Sequence, residues 1–214
     1  MQRLALQRVG IHELRGDLVN EVSKRAFWLN VYNAFGQILL QEHPADLRSA
    51  TAKLKHYGAR RIEVAGQQLS LNDVEHGLLR GSRIWWSKGY FKNPFVGPFE
   101  QDFRVPLDPR IHFALNCGAT SCPPIAFFTA RDLNAQLDLA TKGYLSNAIV
   151  YDAERNTLSV PALFNWYIGD FGGKAGVLRF LKRHGLLRTE VSPRLRYALY
   201  DWTVRLGHFS AEAG

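Results

Sequence analysis

The chain has 214 residues, a formal net charge of +8 at pH 7 and two cysteines. Hydrophobic residues make up 46% of the chain and charged residues 21%, which is ordinary for a globular protein and excludes a disordered one. Two cysteines are too few for a disulfide scaffold, and no apolar run approaches the roughly 20 residues that cross a bilayer. The sequence therefore predicts one domain over residues 1–214 and no transmembrane segment.

The basic residues are concentrated in residues 48–61 and 179–205. Such a charge balance suits acidic partners, including nucleic acid. In residues 179–184, however, the charges alternate with apolar residues as they do on the solvent face of an amphipathic helix, so nucleic-acid binding is not favoured. Residues 1–10 lack the apolar stretch of a secretory signal, which favours the cytoplasm. A periplasmic, exported location is the alternative if the natural chain begins further upstream.

The first half of the chain predicts three local elements. Residues 17–42 place apolar side chains at helical spacing and predict a helix. Residues 61–69 alternate around a glycine and predict a short hairpin. Ser70 and Asp73 form the ends of a capping box, which predicts a helix that ends at Gly81.

The second half begins with a long irregular segment rich in aromatic residues, glycine and proline, a composition and length typical of functional loops. The predicted elements are this loop over 82–109, a buried strand over 111–117, a helix after a capping box at 129–132, a hairpin over 149–161, a helix ending at His184, and a closing helix from Ser192 to about residue 207. Helices mixed with short strands and hairpins, without regular βαβ alternation, predict a mainly helical α+β fold.

Reactive side chains are concentrated in residues 108–124. This segment brings together an imidazole, an amide, a hydroxyl and two thiols, from His112, Asn116, Ser121, Cys117 and Cys122. The two prolines that follow Cys122 predict a helical turn with this thiol at its N-terminus, where the local dipole lowers the pKa of a thiol. A nucleophilic cysteine is therefore one interpretation of the segment.

A cysteine nucleophile needs a nearby base, and the spacing leaves that base open. In a regular strand His112 and Cys117 point to opposite faces. Three arrangements would still give a cysteine its base. A bulge could bring His112 and Cys117 to the same face, His112 could act on Cys122 across the turn, or His76 could be the base instead. Glu75 is adjacent to His76 on the predicted helix, and adjacent helical side chains point in directions about 100° apart, so the two are not expected to pair. Glu75 could instead orient His112, which is distant in sequence but could lie close to it in the fold.

Three other interpretations of the cysteines stay open. Both could be small buried hydrophobic residues. They could form a disulfide across the turn at Gly118. Together with His112 and His76 they could bind a structural metal, although a closely spaced Cys-x-x-Cys pair is missing. No cofactor is predicted.

Three segments, residues 25–34, 71–80 and 108–124, together resemble the family called domain of unknown function 547, which occurs in bacteria, plants and nematodes; residues 164–171 add weaker support. The resemblance covers about residues 25–171, and the helices predicted over 174–207 are expected to pack on this part. It implies no established reaction. It does imply that Glu75, His112, Cys117 and Ser121 belong to the shared pattern, which favours Cys117 over Cys122 as the nucleophile.

The leading hypothesis is a thiol-dependent hydrolase or acyl transferase with Cys117 as nucleophile, His112 as base and Glu75 as orienter, and with Cys122 and His76 as alternates. A backbone amide near Gly118 or the side chain of Asn116 would stabilise an oxyanion. The alternative is a non-catalytic module in which the loop around Trp85 and Trp86 binds a peptide, lipid or glycan. Asn30 and Asn33, three residues apart on the first helix, are expected either to face the same cleft as binding residues, with Asn116 and Ser121, or to pack as buried polar groups.

Overall fold

A computed structural model describes residues 2–210 of the chain. The α-helices are α1 (Gln2–Arg8), α2 (Ile11–Asp17), α3 (Glu21–Glu42), α4 (Ala50–Gly58), α5 (Pro98–Phe103), α6 (Leu133–Ala148), α7 (Leu163–Trp166) and α8 (Gly173–Arg183). Other helical turns are a π-helix over Asp73–Leu79 and 3-10 helices over Trp85–Ser87 and Pro109–Phe113. Helix predominates over strand, and the predicted mainly helical α+β fold is confirmed.

The strands form two small sheets. They are β1 (Ile62–Val64), β2 (Gln67–Leu69), β3 (Val150–Asp152), β4 (Thr157–Val160) and β5 (Arg194–Tyr197). β1 and β2 form one antiparallel hairpin, and β3 and β4 form another, as predicted. β5 adds to the second sheet in parallel with β4.

The predicted capping box at Ser70 is complete, and the one at Thr129 has only one of its two hydrogen bonds to the backbone. The backbone N–H of Asp73 donates to Ser70 Oγ at 3.0 Å, and the N–H of Ser70 donates to Asp73 Oδ2 at 2.8 Å. The N–H of Asp132 donates to Thr129 Oγ1 at 3.2 Å just before α6 begins. The Ser70 box satisfies amides that have no partner within the helix, which explains why that helix starts there, whereas α6 begins at Leu133 without a side-chain cap.

Two predicted elements have different boundaries or a different type. The helix predicted over residues 17–42 begins later, at Glu21, because Asn20 caps it by accepting a hydrogen bond from the N–H of Ser23 at 2.9 Å. The strand predicted over residues 111–117 is wrong. Asp108 accepts from the N–H of Arg110 at 3.0 Å and Pro109 supplies a helical φ, so the segment starts as a 3-10 helix.

The predicted closing helix is also wrong. Arg194, Leu195, Arg196 and Tyr197 alternate between exposed and half-buried, which is the period of a strand, and they pair with β4. The preceding prediction, a helix that ends at His184, is confirmed by α8. After β5 the chain continues as an extended segment over residues 198–210, here called the C-terminal strap.

The C-terminal strap lies along residues 118–125 and is held there by backbone hydrogen bonds. The N–H of Thr120 donates to the carbonyl of Thr203 at 2.8 Å, and the N–H of Ile125 donates to that of His208 at 2.7 Å. The cysteine segment is therefore paired with residues far along the chain, which no local pattern reveals.

The core contains two main apolar clusters. The first is formed by α3, β1, β2 and the π-helix, and the second by α6, α7, α8 and the second sheet. The 3-10 helix at Pro109–Phe113 joins them, because Ile111 belongs to the first cluster and Phe113 to the second. His112 is thereby placed between the clusters and buried.

Among the helices in residues 2–210, none combines the length and apolarity needed to cross a membrane.

Candidate functional site

A cavity of about 180 Å³ lies where the two core clusters meet. Its wall includes Glu75, His76, His112 and Cys117, together with Tyr200 of the C-terminal strap. Four of the five residues predicted to be catalytic therefore line one cavity. The prediction that His112 and Cys117 point to opposite faces of a strand does not apply, because the segment is not a strand.

His112 is held by a buried carboxylate. Its Nε2 lies 2.8 Å from Asp170 Oδ2, and Asp170 is in turn bound by Nε and Nη2 of Arg80 at 2.7 and 3.0 Å. The side chains of Asp170 and Arg80 are fully buried. Because the carboxylate accepts at Nε2, the neutral imidazole carries its proton there and has its lone pair on Nδ1.

The charges around His112 define its protonation. Burial is the largest cause that lowers the pKa of His112, and Arg80 acts in the same direction, while Asp170 opposes both. Burial would raise the pKa of Asp170, but its hydrogen bonds to His112 and Arg80 outweigh burial and lower it. At neutral pH the pair is thus a neutral imidazole beside a carboxylate.

Glu75 does not contact His112 through a hydrogen bond. Its carboxylate accepts hydrogen bonds from Tyr32 at 3.0 Å and from Tyr167 at 2.7 Å. The ring of Tyr167 stacks on the imidazole of His112, with centroids 3.9 Å apart and planes 15° apart. Glu75 therefore orients His112 only indirectly, through Tyr167, and the direct orienter is Asp170.

Glu75 nevertheless remains ionised. Burial would raise its pKa, but interactions with the side chains of His76 and Arg80 and the hydrogen bond from Tyr167 outweigh burial and lower it. The cavity wall thus contains a buried carboxylate that is satisfied by two phenol groups.

His76 has a different state from His112. Its Nδ1 lies 2.7 Å from Nη1 of Arg80, and because a guanidinium only donates, Nδ1 accepts. Burial chiefly, with help from Arg80, lowers the pKa of His76 to about 4, although Glu75 opposes this shift. His76 is therefore neutral near pH 7 and carries its proton on Nε2, so it is a donor rather than a base.

The two cysteines are joined in a disulfide. Cys117 is half-buried and lines the central cavity, whereas Cys122 is buried and lines a neighbouring one. The hydroxyl of Tyr200 lies 3.6 Å from the sulfur of Cys117 and 3.2 Å from that of Cys122. Of the alternatives that the sequence left open, the structure contains the disulfide.

The turn after Asn116 is stabilised by the groups expected to bind an oxyanion. The N–H of Gly118 donates to Asn116 Oδ1 at 2.8 Å, and Asn116 Nδ2 donates to the carbonyl of Pro123 at 2.7 Å. Gly118 has φ of +88°, and a Cβ there would overlap Leu40. Both groups are already engaged in this turn.

Asn30 and Asn33 stabilise backbone segments instead of lining the cavity. Asn30 exchanges two hydrogen bonds with the backbone of Phe128, at 2.8 and 2.9 Å. Asn33 donates to the carbonyl of Ala114 and accepts from the N–H of Asn116. The sequence allowed these two residues to be either binding residues of the cleft or buried packing groups, and their hydrogen bonds match the packing role.

The other predicted binding residues lie elsewhere. Ser121 lines the neighbouring cavity, and its Oγ accepts from the N–H of Asp201 at 2.9 Å. Trp85 and Trp86 are exposed and line a groove that also reaches His76. In the described residues, 2–210, no group of three His, Cys, Asp or Glu side chains is placed to hold a metal ion, so the metal alternative at His112, Cys117 and Cys122 gains no support.

Sequence reasoning did not select Asp170, Arg80 or Tyr167 as site residues. All three fall inside segments that carried the family resemblance, which was the available signal. Their roles were hidden because Asp170 is 90 residues from Arg80 and 58 from His112.

The fold and the site together define a class of protein: an α+β domain with a buried histidine–aspartate–arginine cluster beside a small cavity. The sequence model of the family described as "Protein of unknown function, DUF547" matches residues 17–145, more than half of the chain. The chain belongs to this family, as its motifs predicted. Comparison with curated proteins and with solved structures found no match.

Proposed function

We propose that the domain is a thiol-dependent hydrolase or acyl transferase whose nucleophile is Cys117 after its disulfide with Cys122 has been reduced. The observation that carries the proposal is that Cys117 and His112 line the same cavity. A neutral imidazole held by a carboxylate is the arrangement that activates a thiol. Cys122 lines the neighbouring cavity and is the resolving partner, because it forms the disulfide with Cys117.

The chemical step follows from the protonation states. His112 accepts the proton of the Cys117 thiol on Nδ1, and the thiolate attacks the acyl carbon of the substrate. The bond to the leaving group breaks as the imidazolium returns the proton to it, which leaves a thioester on Cys117. Water, in a hydrolase, or another acceptor, in a transferase, then attacks the thioester while His112 accepts its proton, and the thiol is restored.

Other side chains of the cavity suit a small acyl substrate. Nε2–H of His76 is the donor that we assign to the developing oxyanion, in place of Asn116 and Gly118, because its Nδ1 is occupied by Arg80. Trp166 and Trp202 stack at 5.3 Å on the wall and offer an apolar surface. A volume of about 180 Å³ limits the part of the substrate that enters.

The disulfide makes this activity dependent on reduction. A dithiol reductant would transfer two electrons to the Cys117–Cys122 bond and be oxidised to its own disulfide, which leaves two thiols in the protein. The reduced protein is the active form under this proposal, and the oxidised protein is its resting form.

The first test is alkylation of each cysteine as a function of pH, resolved by peptide mass spectrometry. Without reductant, neither cysteine should react. After reduction, Cys117 should react well below the ordinary thiol pKa of about 8.5, because transfer of its proton to His112 leaves the thiolate beside an imidazolium. His112→Gln retains a donor toward Asp170 but removes the base, and it should slow Cys117 roughly 10-fold to 100-fold at neutral pH.

Two controls make this result specific. His184→Gln makes the same change at a histidine outside the cavity and should leave the Cys117 profile unchanged. Circular dichroism of each variant checks that the fold is retained. The proposal is contradicted if Cys117 stays inert until urea unfolds the reduced protein, or if His112→Gln reproduces the wild-type profile.

The second candidate is the non-catalytic binding module. The observation in its favour is the exposure of large aromatic side chains in the loop that contains Trp85 and Trp86. A variant with both cysteines changed to alanine separates the two functions. The binding module is favoured if the variant binds ligand as well as wild type does and neither protein has acyl-transfer activity. The thiol enzyme is favoured if wild type has a measurable activity that the variant lacks.

A further inference from the structure

Five large aromatic side chains within residues 83–98, here called the aromatic loop, are exposed to solvent. Each of them is more than half exposed, and they are Trp85, Trp86, Tyr90, Phe91 and Phe95. Single exposed apolar residues are common on proteins, but a group of this size marks an interaction surface.

The aromatic loop is held in shape by its own backbone. The N–H of Ile84 donates to the carbonyl of Phe91 at 3.0 Å, and the N–H of Asn93 donates to that of Ser82 at 2.7 Å. Gly89 packs so closely on Asp170 that a Cβ there would overlap the carboxylate. The rings are thus presented by an ordered loop, which reduces the entropy lost on binding.

The charges of the aromatic loop are all positive. Its sequence contains Arg83, Lys88 and Lys92 and no aspartate or glutamate. Arg83 lies 3.3 Å from Asp170, which offsets its charge, and Asp73 and Glu100 line the groove beside Trp85 and Trp86. The positive charge of the surface therefore belongs to the exposed Lys88 and Lys92, which flank Tyr90 and Phe91 in sequence. A partner that covers this part of the loop is apolar where it meets the rings and anionic where it meets the lysines.

We propose that the aromatic loop docks on the surface of an anionic lipid bilayer. Tryptophan and tyrosine rings are favoured at the level of the headgroups, and lysines contact the lipid phosphates. A second copy of this chain fits less well, because a symmetric contact would bring Lys88 and Lys92 against the same lysines. Two exposed lysines are also few for a groove that follows a nucleic-acid backbone.

The test is cosedimentation of the full chain with vesicles of phosphatidylcholine alone and of equimolar phosphatidylcholine and phosphatidylglycerol. The protein should sediment with the anionic vesicles, and salt should weaken this binding. Lys88→Gln and Lys92→Gln should each lower the partition coefficient about fivefold. Phe91→Ala should lower it further, whereas Phe127→Ala should not, since Phe127 is equally exposed but lies outside the aromatic loop.

Fluorescence provides a second measurement for variants that fold poorly. Brominated lipids in the anionic vesicles should quench the wild-type protein, and Trp85→Phe with Trp86→Phe should remove most of that quenching while the rings stay aromatic. The proposal is overturned if wild type binds neither vesicle, if it binds both equally, or if the aromatic loop instead mediates self-association or binding to single-stranded oligonucleotide. Selective binding to anionic vesicles that these variants abolish supports it.

Discussion

Replacing Asp170 with asparagine is expected to lower the free energy of unfolding by about 3–5 kcal/mol, because it leaves the buried charge of Arg80 without its hydrogen-bonded carboxylate. Arg80 is fully buried, and both of its contacts to Asp170 are 3.0 Å or shorter. Of its remaining neighbours, the ring of Tyr167 at 4.7 Å and His76 are neutral, and Glu75 acts on Arg80 only through its charge, without a hydrogen bond. Urea unfolding followed by circular dichroism measures the change.

A matched control makes the same substitution in an exposed ion pair. Asp102 binds Arg15 at the surface, and Asp102→Asn should cost less than about 1 kcal/mol because solvent screens that pair. If Asp170→Asn does not fold, the double variant Arg80→Met with Asp170→Asn still tests the idea. Removal of both charges should recover most of the lost stability. A cost for Asp170→Asn as small as that for Asp102→Asn would contradict the assignment.

The second large effect is a loss of stability in acid that originates at His76. The pKa of this imidazole is lowered from 6.5 to about 4 in the folded protein, mainly by burial. As the pH falls below 6.5 the unfolded chain takes up this proton first, so stability is complete above that pH and is lost progressively toward pH 4. The loss due to His76 should reach about 3 kcal/mol at the lower end.

His76→Asn tests this directly, because the asparagine oxygen can accept from Arg80 near the position of Nδ1 but does not titrate. Its unfolding free energy should fall less steeply with acid than that of wild type, and the remaining slope comes from other groups whose pKa values are lowered by folding, among them His112, His56 and Glu75. His12→Asn, at an exposed position of α2, should keep the wild-type slope. Equal slopes for His76→Asn and wild type would sink the assignment.

The predictions that held depended on local interactions. The capping box at Ser70 and both hairpins were predictable, since each depends on residues within one turn or one loop. The segment around His112 was predicted as the wrong element, because a short apolar run suits either a strand or a buried helical turn. Its actual form was decided by Asp108 and Pro109, whose helix-starting role was underestimated.

β5 and the C-terminal strap could not be predicted for a different reason, because their conformation depends on residues distant in the sequence. The residues from Ser192 onward carry a plausible helix start, but pairing with β4 satisfies the backbone of β5 and overrides that preference. The position of Tyr200 beside both cysteines likewise depends on pairing between the strap and residues 118–125.

By itself, the sequence determined the mainly helical α+β class, the family, and the segments whose side chains meet in the cavity. Glu75, His76, His112 and Cys117 all line the cavity, and all four lie in motifs that the sequence alone reveals. Only the tertiary structure decided that Asp170 rather than Glu75 binds His112, that Arg80 holds both Asp170 and His76, and that the cysteines are paired. The physical reason is that protonation and hydrogen bonding at a buried site depend on groups distant in sequence, which are brought together by the packing of two apolar clusters.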